Sequence, residues 1–533
     1  MSREINKWQF QFGFFLSAGQ QPSSPHVTTK SHRRHPPVPC ATNIKKSSPQ
    51  SRIGEREGCE PLHPTDYFMF HRNRNHTMQK DHQHRTQRTT HPLNMLRASG
   101  LATLGTLMLG AGITSFIGDH DSANTAHVHS IQRTATLNNN DPNNRASITP
   151  PRTIDPFMQK GLHWLADAQH KDGGWGAGSY AKQDQRDPHA VTIDPGTTAF
   201  TAMALLRAGY NPLKGEYSEN LRRALDYLLT TVEIYKEEGP RISDVTGTQP
   251  QRKLGEFVDV SLCAQFFGRV LPTLADEPTL KNRVEKALDK CVRKIENSQK
   301  NDGSWNHGGW APVLQSSMAN NALEIAQENG RAVNDSVLER SREYQKGNYD
   351  PSTKSYRADA GAGVELYANS SGQRAAAKES KKAKDILVAA KQAGKLRDGD
   401  DVTEDNLMKA GVDRKQASQL ARAYDQNRAA VQKLDDEQML SGFGNNGGEE
   451  FLSYMLSSES LVVTGGEEWL KWNNKMHERL EKIQNGDGSW SGHHCITSPV
   501  FCTAAVILCL TADRDAEMLR ATSGKGITTG NVR

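Results

Sequence analysis

The chain has 533 residues, of which 35% are hydrophobic and 24% are charged, and its mean hydropathy is −0.71. This composition is too polar for a polytopic membrane protein, yet it allows one large folded domain with additional segments. The formal net charge of only +5 gives no indication of a nucleic-acid partner. Seven cysteines, an odd number, do not suggest a disulfide framework. Cys495, Cys502 and Cys509 follow a seven-residue spacing, which predicts a buried helical stripe.

The amino-terminal part of the chain is predicted to lie outside the folded domain. Residues 1–94 are rich in Pro, Ser, Gln, Arg and His, which is typical of a disordered segment or of a mis-annotated leader before an initiator at Met95. Residues 95–116 join a basic flank to an apolar run, which predicts a signal peptide or an anchor. A polar linker at 117–153 follows. We therefore expect an exported protein, periplasmic or in the cell envelope, that is either released or tethered to the membrane near residues 101–116.

A seven-residue motif occurs three times in the rest of the chain, at Gln169–Trp175 (QHKDGGW), Gln299–Trp305 (QKNDGSW) and Gln484–Trp490 (QNGDGSW). In each copy a segment with helical apolar spacing precedes the motif and an apolar run follows it. Asp-Gly favours a tight turn, the Trp ring can cover a helix end while its N–H finds an acceptor, and Gln can bond free N–H groups of the next helix. The motif therefore predicts a staple between two helices.

Gln-x5-Trp with an internal Asp-Gly resembles the QW repeat of squalene-hopene and oxidosqualene cyclases, whose α-α toroid is shared by protein prenyltransferase β subunits. The three copies and their helices cover roughly residues 156–515, apart from an unmatched middle stretch. The resemblance implies an all-α fold, a single α-α toroid of about six helical hairpins over residues 154–515. Residues 369–438, rich in Ala and Lys, are predicted to form a solvated helical insertion, and 516–533 a tail.

In toroids of this resemblance, polar groups just before the inner helices line a central cavity. The positions that meet this description are Asp194, Glu256, Asp259, Gln315, Glu449, Glu450, His493 and His494. The candidate acid and charge-stabilising groups among them are Asp194, Asp259, Glu449, Glu450 and His494. Carboxyl groups in an apolar cavity have raised pKa values, which is what protonation of an alkene would need. The alternative is that Asp and Glu before a helix are ordinary caps. Glu449 and Glu450 are the least ordinary pair, because they place like charges side by side.

Two further signatures of the resembling families were compared with the sequence. Asp398–Asp401 has the letters of the cyclase Asp-x-Asp-Asp motif, but it lies in the polar insertion and no apolar helix follows it. Asp289–Cys291 has the letters of the prenyltransferase zinc motif, but it lies on a predicted outer helix. His493–Cys495 suits zinc better, yet the sequence offers no third ligand and a cap with a buried thiol explains it as well.

Two functions follow from the resemblance. One is an acid-catalysed isoprenoid cyclase with an apolar small molecule as substrate and the five residues above as acid and charge-stabilising groups. The other is a non-catalytic module that binds a lipid, a glycan or an envelope protein. A cyclase needs a deep cavity lined by aromatic side chains, whereas a binding module can have a polar or filled centre. A cyclase needs aromatic ring faces in its cavity to stabilise cations. Aromatic residues make up only 7% of the chain, which favours the binding module.

Overall fold

The computed structural model describes residues 151–444 and 446–521. The regular structure there is helical except for one short hairpin, in which β1 (Tyr349–Asp350) pairs antiparallel with β2 (Ser355–Tyr356). The predicted all-α fold class is therefore confirmed. In chain order the α-helices are α1 (Pro156–Asp167), α2 (Pro195–Arg207), α3 (Ser218–Ile234), α4 (Gln249–Leu254), α5 (Val258–Val270), α6 (Pro278–Asn297), α7 (Pro312–Glu328), α8 (Asp335–Lys346), α9 (Glu365–Gln392), α10 (Glu404–Lys409), α11 (Arg414–Lys433), α12 (Glu437–Leu440), α13 (Gly448–Thr464), α14 (Glu467–Glu481), α15 (Pro499–Leu510) and α16 (Ala516–Arg520).

Six of these helices pack side by side in a closed cycle, in the order α2, α5, α7, α9, α13, α15 and back to α2. We call this cycle the helix ring. Each member follows an outer helix in the chain, namely α1, α3, α6, α8, α11 or α14. The helices of the ring are almost wholly buried. This explains why the apolar runs after the repeated motifs lack an amphipathic pattern. This cyclic order is the one that six hairpins of a single α-α toroid would produce.

The repeated motif staples neighbouring hairpins together. In all three copies the Trp is fully buried, and its indole N–H donates to a carbonyl ten residues earlier, in the preceding outer helix, at 2.7–2.8 Å. The Gln side chain donates to a carbonyl of the next outer helix, at Asn220, Val337 and Phe157. The expectation that Gln bonds free backbone N–H groups of the next helix is therefore wrong. Its amide N–H donates to a backbone carbonyl, and its oxygen accepts from a side chain, that of Arg223 in the first copy and Arg340 in the second. The bond from Gln484 to Phe157 joins the last hairpin to the first and closes the ring.

A buried cluster of charges lies inside the ring at the level of the carboxyl-terminal ends of α2 and α5. Glu459 of α13 is 1% exposed and pairs with Arg207 of α2 at 2.6 Å, and with Arg269 of α5 and Arg374 of α9 at 3.4 Å each. Asp515 bridges Arg207 and Arg269 at 2.7 and 2.9 Å. Because side chains from four inner helices converge here, Glu459 lies inside the helix ring. We call these five residues the ionic cluster.

The interior of the ring next to the ionic cluster is filled with apolar side chains. Side chains seven residues before a given position lie two turns earlier on the same helix face. Phe200 lies seven residues before Arg207, Leu262 before Arg269, and Leu452 before Glu459. Each of these three is at most 1% exposed. A side chain beside a water-sized void would retain exposed surface, so this layer leaves no space for a ligand.

The segment predicted as a solvated insertion, residues 369–438, is partly buried in the structure. Its first part continues α9, and residues 369–377 are buried in the ring between α7 and α13. Helix α11 covers α9 as an outer helix. The prediction is wrong here because small Ala, Ser and Asn side chains allow close helix packing despite their polar composition. The middle part, with α10, does form a separate small core around Leu407 and Leu420.

The predicted tail begins later than expected, because residues 516–520 form α16 and pack against α13. The predicted leader and signal or anchor segment, residues 1–116, and most of the linker lie outside the described residues. Within the part of the chain that the structure does describe, no helix combines the length and apolar character that crossing a membrane requires.

Candidate functional site

The five predicted site residues all lie at the amino-terminal end of the helix ring, opposite the ionic cluster, but they form two groups. Asp194 and Asp259 make one group at the starts of α2 and α5. Glu449 and Glu450 of α13 make the other with His494, which precedes α15. Helix α4 connects the groups, since its Gln251 donates to Asp259 at 2.7 Å while its Gln249 accepts from the backbone N–H of Thr497 at 2.7 Å.

Asp194 acts as a cap, as the alternative interpretation predicted. One carboxylate oxygen accepts from the N–H of Thr197 at 2.7 Å and the other from Ala177 at 3.0 Å. Burial raises the pKa of Asp194 to about 6, although these two N–H groups oppose the shift. Burial and the neighbouring Asp194 raise the pKa of Asp259 to about 8. Oδ1 of Asp259 has no hydrogen-bond partner, which fits a carboxyl group that holds its proton near neutral pH.

Glu449 and Glu450 are both buried, and their carboxyl groups point to different partners. Glu449 accepts from the N–H of Ile496 at 3.2 Å. Glu450 accepts from the hydroxyl of Tyr367 at 2.6 Å and from the N–H of Phe443 at 3.0 Å, while its Oε2 has no partner. Burial, assisted by Glu450, raises the pKa of Glu449 to about 7, and burial also raises the pKa of Glu450. Two adjacent carboxyl groups are tolerated here because at least one can be neutral.

His494 lies against this carboxyl pair and remains partly accessible. Its Nε2 is 3.8 Å from Oε1 of Glu450, beyond hydrogen-bond distance, and neither ring nitrogen has a partner. Burial, together with the neighbouring His493 and Lys253, lowers the pKa of His494. The close approach of His494 to Glu450 requires glycine at 447. A Cβ there would lie 2.6 Å from Oε2 of Glu450 and 3.0 Å from the His494 ring. The Gly447–Gly448 pair before the two glutamates therefore has a packing reason.

The sequence did not identify three residues that complete this end of the ring. Lys253 is 3% exposed and its ammonium lies 4.0 Å from the ring centre of Trp310 and 5.0 Å from that of Tyr180. Its charge acts on Glu449, His494 and Cys495. Tyr367 and Phe443 contact Glu450 as described above. One feature of the sequence could have indicated this end of the ring. Trp310 follows two glycines and lies outside the repeated motif and its helices, so its position needs another explanation.

The family signatures found in the sequence do not join this site. Asp401 pairs with Arg428 at 3.0 Å and accepts from Tyr424 at 3.2 Å, on the surface of the inserted segment. Asp289 lies on the outer helix α6 and accepts from Arg331 at 2.8 Å. Across residues 151–444 and 446–521, no group of three His, Cys, Asp or Glu side chains is arranged to hold a metal ion. The same part of the chain has its five cysteines as free thiols, of which Cys502 and Cys509 are buried on α15 and Cys495 lies before it.

One comparison with known proteins bears on this arrangement. Residues 146–249 match the family model described as the squalene-hopene cyclase C-terminal domain. The match includes the first repeated motif and Asp194, whereas the other four candidate residues lie beyond it. No match was found among curated proteins. Over this segment the chain is therefore similar to the C-terminal domain of squalene-hopene cyclases, which confirms the resemblance to the terpenoid cyclase-like superfamily.

Proposed function

We propose that this chain is a non-catalytic binding module on a squalene-cyclase-like helical scaffold, and that a polar ligand binds at the amino-terminal end of the helix ring. The observation that carries the proposal is the filled ring interior. Phe200, Leu262 and Leu452 are at most 1% exposed, and the ionic cluster lies beyond them. Sites for ligands of drug size have volumes of about 300–1,000 Å³. A thirty-carbon isoprenoid would need such a space inside the ring.

The chemistry of the amino-terminal end supports a polar ligand over an apolar one. Oε2 of Glu450, Oδ1 of Asp259 and both amide atoms of Gln315 are buried without a partner. A hydrocarbon ligand would leave these groups unpaired, and each buried polar group without a partner costs about 1–3 kcal/mol. A ligand that supplies hydrogen-bond donors and acceptors would avoid this cost.

Native mass spectrometry of the full chain, purified from its own host, tests the proposal. We expect a polar molecule to be retained and no isoprenoid to appear in a lipid extract. Glu450→Gln should lower the retained fraction, whereas Asp401→Asn, a matched change at a surface carboxylate, should leave it unchanged. The same preparations are then incubated with squalene and shorter polyprenyl substrates. A bound isoprenoid or a cyclised product would contradict the proposal.

The acid-catalysed cyclase is the second candidate, and the raised carboxyl pKa values favour it. With pKa values of about 8 and 7, Asp259 and Glu449 retain protons near neutral pH. This function additionally requires the ring interior to open for the substrate. If the chain converts squalene, Asp259→Asn or Glu449→Gln should abolish the conversion, and such a result would replace the binding proposal.

A cell-envelope location belongs to the same proposal, with an envelope glycan or protein as the source of the ligand. It rests on the basic flank and apolar run of residues 95–116. Fractionation of host cells, with amino-terminal sequencing of the native protein, checks it. Recovery of the chain from the cytosolic fraction with residues 95–116 intact would contradict an exported form.

A further inference from the structure

Aromatic side chains surround the candidate site on the protein surface. Trp310 is 55% exposed and Phe443 is 60% exposed, although both lie next to deeply buried charged residues. Tyr180 and His494 are partly exposed beside them. We call these four residues the aromatic rim. Large aromatic side chains with one open face are costly to leave in water, so their position beside a polar site requires an explanation.

The rim is continuous across the site. Trp310 and Tyr180 lie on either side of the Lys253 ammonium, at 4.0 and 5.0 Å from their ring centres. The charge of Lys253 in turn acts on the thiol of Cys495, the neighbour of His494. The His494 ring stacks on Phe443 with centres 5.3 Å apart and planes inclined by 16°. The exposed faces therefore belong to one surface rather than to two separate patches.

Polar groups without partners lie directly beneath the rim. Glu450 is 0% exposed, and it accepts the backbone N–H of the rim residue Phe443 while its Oε2 remains unpaired. Gln315 is 1% exposed and neither of its amide atoms has a partner. It lies on α7 next to the loop that carries Trp310, since a Cβ on Gly255 would meet both Gln315 and the carbonyl of Gly308. Buried polar atoms of this kind normally have partners, so a bound molecule is a natural source of them.

We infer that the aromatic rim binds a neutral saccharide, whose sugar rings stack on Trp310 and Phe443 while their hydroxyl groups bond the polar groups beneath. This inference rests on the proposed function and names its ligand class. A hydroxyl group both donates and accepts. It therefore matches a carboxyl, an ammonium and an amide at once. A sugar ring also presents a flat C–H face that fits an aromatic side chain.

Other ligand classes fit the same surface less well. An anionic ligand such as a nucleotide would approach two buried carboxyl groups, Glu449 and Glu450, at a cost in repulsion and desolvation. A hydrocarbon would use the rings but would leave Glu450 and Gln315 unpaired. A cationic peptide is the closest rival, because it would satisfy the carboxyl groups. It would, however, bring its charge toward the ammonium of Lys253.

Isothermal titration of the full chain with cellotetraose, chitotetraose and mannotetraose tests the inference, with trilysine and squalene as the comparison probes. We expect at least one tetrasaccharide to bind. Trp310→Ala and Phe443→Ala should each weaken that binding by about tenfold, the usual effect of removing an aromatic contact residue. Ile234→Ala is the matched control, since Ile234 is an apolar residue that is 79% exposed on α3. It should change neither binding nor stability.

A second readout separates binding from folding. Binding should change the tryptophan fluorescence, and Trp310→Phe should remove this change while it retains affinity, because Phe keeps an aromatic face. Thermal melts of Phe443→Ala and Trp310→Phe should lie close to that of the natural chain, since both substituted rings are mostly exposed and Phe retains the aromatic face over Lys253. Trp310→Ala removes that face, so its melt should be lower. If neither Trp310→Ala nor Phe443→Ala changes saccharide binding, the assignment of the rim is overturned.

The remaining outcomes separate the inference from the proposed function. If trilysine binds and no tetrasaccharide does, the saccharide inference fails while a polar-ligand module stands. If squalene binds and neither polar probe does, the proposed function fails as well. If no probe binds but a polar molecule from the host is retained and is not a sugar, the saccharide inference fails and the proposed function stands.

Discussion

Buried charges occur at both ends of the helix ring, but their surroundings differ. At the carboxyl-terminal end Glu459 and Asp515 face three arginines, and these arginines lower the pKa of each acid despite its burial. At the amino-terminal end Asp259 and Glu449 have no comparable partner, and burial raises their pKa values to about 8 and 7. Carboxyl groups on the two sides of one filled apolar layer therefore have opposite pKa shifts.

This difference separates a structural role from a functional one. Desolvation penalises both sets of carboxyl groups. Hydrogen bonds offset it only in part at the amino-terminal end, whereas opposite charges outweigh it at the carboxyl-terminal end. The ionic cluster receives that compensation within the chain, so its charges serve packing and the closure of the ring. The amino-terminal end does not receive it, and groups left in this condition are characteristic of functional sites. We expect substitutions at the two ends to differ accordingly.

The largest expected effect is at the ionic cluster. Glu459→Gln removes the carboxylate that Arg207, Arg269 and Arg374 share. It leaves these three buried guanidinium groups with only Asp515 and Glu324 to compensate for their charges. Breaking a buried charge pair in this way typically costs about 3–5 kcal/mol of unfolding free energy. Denaturant unfolding monitored by circular dichroism would measure it. Glu450→Gln is the matched change at the other end and should cost far less, since Glu450 has no cationic partner; equal losses would contradict the distinction.

The pH dependence of stability should also differ between the ends. In the unfolded chain Asp259 releases its proton near its usual pKa of 3.8, whereas the folded chain holds it to about 8. Between these values the unfolded state binds fewer protons, so Asp259 lowers stability as pH rises from about 4 to 8. The pKa values of Glu459 and Asp515 are lowered, so their contribution is present above pH 4 and is lost on acidification.

Asp259→Asn isolates the first of these contributions, because Asn resembles the protonated acid. We expect the variant and the natural chain to be similarly stable near pH 4, where Asp259 still holds much of its proton in the unfolded chain. At pH 8 the variant should be more stable by about 2 kcal/mol, which is less than the full shift would give because burial is relieved in part by local opening. Unfolding titrations at the two pH values check this. Parallel losses in both proteins would show that Asp259 is ionised in the folded state.

The smallest effect should come from the surface sequence that resembles the cyclase acid motif. Asp401 is more than half exposed and pairs with a similarly exposed Arg428. Asp401→Asn should therefore change the unfolding free energy by no more than about 1 kcal/mol, the range for surface ion pairs, and it should leave saccharide titrations unchanged. Loss of ligand binding in this variant would move the functional site into the inserted segment.

The sequence predicted the helical fold and the role of the repeated tryptophans because both depend on local patterns. Asp-Gly turns, a following Trp and helical apolar spacing are readable within a window of about twenty residues. The positions before the inner helices were also found, since Asp194 and Glu449 mark helix starts. The arrangement of these positions in two groups was not predictable. The connection between the groups runs through Gln249 and Gln251 of α4, and no local pattern identifies it.

The ionic cluster and the aromatic rim could not be predicted for a different reason. Arg207 and Glu459 are separated by 252 residues, and each looks like an ordinary charge at the end of an apolar helix. Trp310 and Phe443 likewise become neighbours of one site only through Lys253 and His494. In α9 the polar composition of residues 369–377 concealed a buried helix, because Ser and Asn bond to partners on other helices that no local pattern identifies.

A crystal structure of the full chain grown with squalane, an unreactive analogue of squalene, tests the central claim most directly. We expect Phe200, Leu262 and Leu452 to fill the ring interior, with no analogue between them and the ionic cluster. Elongated density inside the ring, with Phe200 or Leu452 displaced to make room for it, would contradict the account and favour an isoprenoid cyclase.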